Sequence, residues 1–430
     1  MTPPVTLSNT DSQIRISRLS GGLRVVTEAM PSSRSISVGC WVGVGNRDEP
    51  AGIAGVSHFL EHLLFKGSST RSARDIAEGI DAIGGDLNAF TSKEYTAFHS
   101  RVAARDLDFA LDTILDVIAD PNFTNDEVDA ERQVILEELA WNADTPDDVV
   151  HGALARSLFP AHPLGWEVLG TSETVRDIKP DQIRDFHHQW YVRSNLVVAV
   201  AGPVDHDKIV ERVDSALRKV EPGSRPERRA PGEFSDSQVR LTRPIEQSHI
   251  ALGWRAIGQS DPDRFPLAVA NQVLGGGWSS RLFQEIRERR GMSYTVFSSV
   301  GAYTDSGTLS VYGGTNPGRA AEFCSVVDEL VADIIEVGPS EREMEVARGG
   351  FEGATILALE DTGSRMARLA TSVLIRDRVV PVNEYLELVR AVTSEDVRRV
   401  LGSVVAGNRC VSIVGPEIEP SVEQSQASGA

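Results

Sequence analysis

Residues 55–67 read GVSHFLEHLLFKG, and this segment carries the strongest chemical signal in the chain. Its apolar residues recur at helical spacing, so it is predicted to form a helix buried along its apolar surface. His58 and His62 are four residues apart, which places both imidazoles on one face of that helix, where they can bind one ion. Glu61 lies three residues after His58 and beside His62, so its carboxylate can approach the same ion.

The order His-x-x-Glu-His is the inverse of the His-Glu-x-x-His zinc motif. Zinc in a catalytic site typically takes three protein ligands and leaves a position for water, and a nearby carboxylate can accept the proton of that water. The alternative is a buried helix with two histidines that serve only packing. Five residues do not decide between the two interpretations, so a third ligand is needed.

A second predicted helix, NDEVDAERQVILEELAWNAD at residues 125–144, offers candidates for that ligand. Glu131 and Glu138 are seven residues apart, which is two turns, so they share a face. Both lie close to the apolar stripe of the helix and not opposite it. We expect an inward-facing pair; a solvated charged face is the alternative.

Two segments half a chain apart resemble each other. Residues 178–205 and 392–419 each combine an amphipathic helix pattern, an Asn, a β-branched strand and a Gly-Pro stop. Residues 221–236 between the halves are rich in Pro, Gly and charge, which is typical of a linker. We therefore predict an α+β fold with two similar domains, residues 1–220 and 237–430, joined by a linker at 221–236.

Composition excludes several classes of function. The net charge of −19 argues against a nucleic-acid partner, because phosphate binding requires a basic surface. Three scattered cysteines provide neither a disulfide framework nor a Cys-x-x-Cys zinc site. The N-terminus shows no secretory signal, and the apolar run 196–204 is too short to span a bilayer. We expect a cytoplasmic enzyme without a membrane partner.

The chain resembles the pitrilysin and insulysin superfamily of zinc peptidases, which includes the mitochondrial processing peptidases. The resemblance rests on the motif at residues 58–62, on a glutamate about seventy residues later and on the two-half repeat. It implies that His58, His62 and Glu138 bind one Zn²⁺ per chain. It also implies that Glu61 is the general base and that Glu131 supports the site from behind. Cobalt and manganese remain alternatives to zinc, since two histidines and a glutamate suit other divalent ions.

Two further segments carry the resemblance. The stretch GGDLNAFTSKEYTAF, residues 84–98, is similar to the edge strand on which the family binds extended peptides, here near Asn88, Ala89 and Phe90. In the second half, Arg287 and Tyr294 match a pair that reaches the active site and contacts the substrate. The implied fold has two homologous domains related by a pseudo-twofold axis. Each is expected to hold a mostly antiparallel sheet of about six strands packed with helices.

The implied function is that of a zinc-dependent endopeptidase acting on short unfolded peptides or presequence-like segments. In length the chain is similar to shorter bacterial peptidases and to the beta subunit of the processing peptidase. A homodimer is expected, with a heterodimer containing a non-catalytic partner as an alternative. The first rival function is a non-catalytic peptide-binding or scaffold subunit of the same fold. The second is a zinc hydrolase with a non-peptide substrate.

Overall fold

A computed structural model describes residues 5–9, 12–224, 228 and 230–417. The described residues divide into two units, one within the ranges 1–141, 166–230 and 352–386 and the other within the ranges 142–165, 231–351 and 387–430. We refer to them as the first and the second unit. In the part of the chain that the structure describes, none of the helices combines the length and the apolar character that a bilayer span requires.

The first unit is built on a sheet of seven strands. The strands are β1 (Val5–Asn9), β2 (Ser12–Arg18), β3 (Arg24–Ala29), β4 (Ser35–Val42), β5 (Asp86–Thr91), β6 (Thr96–Ala103) and β7 (Leu196–Gly202). Their order is β1-β2-β3-β7-β4-β6-β5, which makes β5 an edge strand. Only the β3–β7 pair is parallel, so the sheet is mostly antiparallel, as predicted.

The helices of the first half of the chain are α1 (Val56–Leu64), α2 (Ala73–Ala82), α3 (Leu107–Ala119), α4 (Asn125–Asp144), α5 (Pro146–Leu158), α6 (Ser172–Asp177), α7 (Pro180–Trp190) and α8 (His206–Ala216). The second half has α9 (Arg264–Gly275), α10 (Ala320–Glu336), α11 (Glu341–Ala358), α12 (Thr362–Arg376), α13 (Val382–Arg390) and α14 (Ser394–Val405). A π-helical segment covers Phe283–Arg289.

The second unit contains a sheet of five strands. They are β8 (Ser237–Thr242), β9 (Ser248–Ala256), β10 (Ser293–Ala302), β11 (Gly307–Thr315) and β12 (Arg409–Gly415), in the order β10-β11-β9-β12-β8. Read from the other edge, this order matches β3-β7-β4-β6-β5 of the first unit. In both sheets the strand before the Gly-Pro stop has one parallel and one antiparallel neighbour. The repeat predicted from the sequence is therefore confirmed in the strand order.

Strand β7 shows how the first sheet is buried on both faces. Side chains alternate across a strand. Leu196 and Val198 accordingly face a core that includes residues of α1 and α3, whereas Val197 and Ala199 pack with residues of α12. All four side chains are buried completely. An apolar strand without polar alternation is typical of a sheet covered on both sides, which explains the uniform run of residues 196–202.

Two segments correct the continuous domain boundaries predicted from the sequence. Residues 142–165 lie in the second unit, although we placed them in domain 1–220. Residues 352–386 lie in the first unit, although we placed them in domain 237–430. The physical reason is packing, because α5 covers β9 and β12 while α12 covers β4 and β7. Residues 225–227 and 229 of the predicted linker fall outside the described residues.

Candidate metal centre

The helix α1 presents the predicted motif and ends its α-helical turns at Leu64. Its apolar residues Phe59 and Leu60 are completely buried, which fixes the rotation of the helix. The helix lies against β5 and α7. His58 and His62 lie on the opposite side of the helix and contact glutamates of α4. The centroids of the two imidazole rings are 4.5 Å apart.

Three side chains converge on one point. His58 Nε2 and His62 Nε2 are 3.2 Å apart, and each lies 3.6 Å from Glu138 Oε2. Among the described residues, these three form the one group of His, Cys, Asp and Glu side chains close enough to hold a metal ion. Donors bonded to zinc at 2.0–2.2 Å in tetrahedral geometry lie about 3.4 Å from one another. The donor set and its spacing therefore fit a zinc ion.

The protonation of His58 favours metal binding. Burial, together with the neighbouring His62, lowers the pKa of His58 to about 4, although the charge of Glu131 acts in the opposite direction. The imidazole is therefore neutral near pH 7. Because metals bind the neutral form of histidine, no proton has to leave His58 before an ion enters.

Glu131 holds His62 from behind. His62 Nδ1 donates a hydrogen bond of 2.8 Å to Glu131 Oε1, while Lys66 Nζ lies 2.5 Å from Glu131 Oε2. Burial alone would raise the pKa of Glu131, but the bonds from Lys66 and His62 hold that pKa below its usual range. A proton on Nδ1 leaves Nε2 with its lone pair toward Glu138 and His58, the tautomer a metal requires.

Glu61 lies beside this group without belonging to it. Thr91 Oγ1 donates a hydrogen bond of 2.6 Å to Glu61 Oε2. Burial raises the pKa of Glu61, and the hydrogen bond from Thr91 offsets part of that effect. A raised pKa suits a carboxylate that must hold a proton during a reaction near neutral pH.

The predicted peptide-binding strand is the edge strand β5. It pairs with β6 along residues 86–91 and is the last strand of its sheet. Asn88 and Phe90 are exposed, whereas Ala89 points toward the core. An edge strand offers backbone N–H and C=O groups to an added strand, so this edge can accept an extended peptide next to α1.

Arg287 and Tyr294 are brought together in the second unit. Arg287 Nη1 donates a hydrogen bond of 3.1 Å to the Tyr294 carbonyl oxygen. The Arg287 guanidinium also lies 4.5 Å from the centre of the Tyr294 ring, a cation–π contact. Tyr294 is 78% exposed, so its phenol is accessible.

Sequence reasoning missed Glu49, which caps the helix that carries the candidate metal ligands. Glu49 is 4% exposed, and its Oε2 and Oε1 accept hydrogen bonds from the backbone N–H groups of Gly55 and Ser57 at 2.6 and 2.8 Å. These N–H groups belong to the first turn of α1, which has no intrahelical acceptor for them. Glu49 stands six residues before Gly55, outside any capping motif, so no sequence pattern identifies it.

We expect Glu49 to make stability depend on pH. Burial raises its pKa from 4.5 to about 7, although the two N–H bonds lower it. A carboxyl whose pKa is raised in the folded state contributes most to folding stability below its ordinary pKa. For Glu49, this contribution is lost as pH rises through 7. As pH rises from 4.5 to 7, the free energy of unfolding of the wild type should therefore fall by about 3 kcal/mol relative to that of Glu49→Gln. Thermal unfolding of both proteins in the presence of a chelator measures this pH dependence. A difference in Tm between wild type and Glu49→Gln that does not change with pH would contradict the raised pKa of Glu49.

Comparison with known proteins identifies the family. The model for "Insulinase (Peptidase family M16)" matches residues 24–172, and the model for "Peptidase M16 inactive domain" matches residues 177–351. An uncharacterized zinc protease of Mycobacterium leprae is 43% identical over 93% of this chain and 91% of its own length. One from Bacillus subtilis is 35% identical over 92% of this chain and 96% of its own length.

Solved structures agree on the fold. The crystal structure of a protease from Helicobacter pylori has a TM-score of 0.88 at 22% identity, covering 94% of this chain and all of that chain. The relatives named above as zinc proteases and the two family models define the class as the metallopeptidase family M16. The chain belongs to peptidase family M16, the insulinase family, and the resemblance stated above is confirmed.

Proposed function

We propose that the protein is a zinc-dependent endopeptidase that cleaves short unfolded peptides or presequence-like segments. The observation that carries the proposal is the convergence of His58, His62 and Glu138, with the Glu61 carboxylate beside them. Relatives described as zinc proteases support the choice of metal. No residue at the motif or at the supporting Glu131 departs from the expected pattern.

The chain's own residues would share the work as follows. His58, His62 and Glu138 hold the ion, and Glu131 keeps His62 in the correct tautomer. Zinc supplies Lewis-acid chemistry, which makes water a better nucleophile near neutral pH and polarises a carbonyl. Glu61 accepts the proton of the attacking water and later delivers it to the leaving amine.

Substrate recognition would use the backbone of β5. A peptide added to this edge as a strand would form main-chain hydrogen bonds near Asn88, Ala89 and Phe90, so its recognition would depend little on its sequence. Because an added strand must be extended, folded proteins would be excluded. A contribution of Arg287 and Tyr294 to substrate binding stays a prediction of the resemblance.

The rival function is a non-catalytic peptide-binding subunit. The words "inactive domain" describe the family model that matches residues 177–351, whereas the proposed ligands and Glu61 lie within the insulinase match at 24–172. The complete donor group therefore favours catalysis. A homodimer stays a prediction of the resemblance.

The proposal is tested with the purified chain and a library of quenched, unstructured peptides. We expect cleavage that a chelator abolishes and that added zinc restores, because the donor set requires a metal. Cleavage of peptides but not of a folded protein would support recognition by strand addition. Bound zinc without cleavage of any peptide would favour the non-catalytic function.

A further inference from the structure

Thr91 joins the edge strand to the helix of the metal centre. It is the last residue of β5, and its hydroxyl donates the 2.6 Å hydrogen bond to Glu61 Oε2. The side chain is half-buried. The contact connects two elements that are 30 residues apart in sequence, the strand proposed to bind substrate and the helix that carries the base.

The backbone around Thr91 is held in place. Thr91 pairs with Thr96 across the β5–β6 hairpin, and the N–H of Ser92 donates to the Tyr95 carbonyl oxygen at 2.8 Å. The N–H of Arg47 donates to the carbonyl oxygen of Lys93 at 2.9 Å. The hydroxyl therefore projects from a rigid turn. Since threonine is β-branched, its χ1 angle is restricted as well.

The Thr91 hydroxyl hydrogen is available to Glu61. Thr96 Oγ1 donates to the Val44 carbonyl oxygen at 2.9 Å and lies 3.5 Å from Thr91 Oγ1, so it is a much weaker partner of Thr91 than Glu61 is at 2.6 Å. The other neighbours of Glu61 act on it by charge, with His62 attracting and Glu138 repelling the carboxylate. Thr91 thus supplies a directional, neutral hydrogen bond from its hydroxyl to one carboxylate oxygen, in addition to a hydrogen bond from its backbone.

We propose that Thr91 is a positioning residue that aligns the Glu61 carboxylate and links it to the peptide-binding strand. The inference rests on the proposed function, because it concerns the base of that reaction. Asn88, Ala89 and Phe90 precede Thr91 on the same strand, so a peptide added to β5 stiffens the element that holds Glu61. The Thr91 hydrogen bond orients the general base and does not contact the substrate. Its loss should therefore lower kcat more than it raises KM.

The kinetic test compares Thr91→Val with Thr91→Ser in the zinc-loaded, full-length protein. Valine keeps the shape and removes the donor, whereas serine keeps the donor. We expect Thr91→Val to lower kcat about tenfold or more, with KM and zinc content unchanged, because a hydrogen bond to a charged group is lost. Thr91→Ser should stay within about threefold of the wild type. A Thr91→Val variant with wild-type kcat, or a serine variant as impaired as valine, would overturn the proposal.

A second test needs neither zinc nor activity. Thermal unfolding of the metal-free protein is measured for the wild type, Thr91→Val, Glu61→Ala and the double variant. We expect non-additive shifts in Tm, because residues in direct contact are energetically coupled. Additive shifts would contradict the Thr91–Glu61 contact. If the wild type cleaves no peptide, the proposed function fails, while this cycle still decides whether Thr91 holds Glu61.

Discussion

Replacing Glu61 by Gln is expected to remove peptide hydrolysis and leave zinc bound. The amide keeps the size of the side chain and can still contact Thr91, but it cannot accept a proton. General-base catalysis contributes about 10²–10⁴ in rate, so kcat should fall by at least a hundredfold. The measurement is cleavage of a quenched peptide at saturating concentration, with bound zinc determined on the same samples.

A matched control for this variant is Glu78→Gln on α2. Glu78 is exposed and pairs with Arg74 at the surface, so the same change of charge occurs away from the metal centre. We expect Glu78→Gln to cleave like the wild type. If Glu61→Gln retained more than about a tenth of the wild-type kcat, Glu61 would not be the general base.

Replacing His62 by Ala is expected to remove the metal itself. The change deletes one of three donors and also leaves the buried Glu131 carboxylate without its imidazole partner. Loss of a residue that only supports a ligand costs about 10- to 100-fold in metal affinity, so loss of this ligand should cost more than a hundredfold. Competition with a zinc-binding dye measures the affinity directly.

His188→Ala provides the control, because His188 is exposed on α7 and lies outside the donor group. We expect it to bind zinc with wild-type affinity. A His62→Ala protein that still carried one equivalent of zinc after dialysis would remove His62 from the ligand set. That result would also show that the contact between His62 and Glu131 does not serve to orient a metal ligand.

The local elements were predictable because their signals are local. The helix expected at residues 125–144 coincides with α4, since its acidic N-terminus is visible in the sequence. The repeat was visible for the same reason, as each half ends in a strand and a Gly-Pro stop. The motif at His58 and His62 follows from helical geometry, which also explains why the two imidazoles meet.

Contacts between distant parts of the chain were not predictable in the same way. The helices α5 and α12 each belong to a different unit from the one predicted, because each packs on the sheet of that unit. The periodicity of a helix shows that it has an apolar face but does not specify which sheet that face covers. Glu49 and Thr91 reach α1 through a loop and a strand end, without a motif that marks either contact. The pairing of Glu131 with Glu138 indicated an inward face, but the third ligand was selected only by the family resemblance.

X-ray absorption at the zinc edge of the Glu61→Gln protein, loaded with one equivalent of zinc, identifies the atoms that bind the ion. We predict a first shell of nitrogen and oxygen donors only, at about 2.0–2.2 Å, with the scattering pattern of two imidazoles. The Glu138→Gln variant should lose this signal. The control variant Glu137→Gln, which changes an exposed neighbouring residue in the same way, should keep it. A shell containing sulfur at about 2.3 Å, or a signal unchanged by Glu138→Gln, would contradict the assignment of His58, His62 and Glu138 as the metal centre.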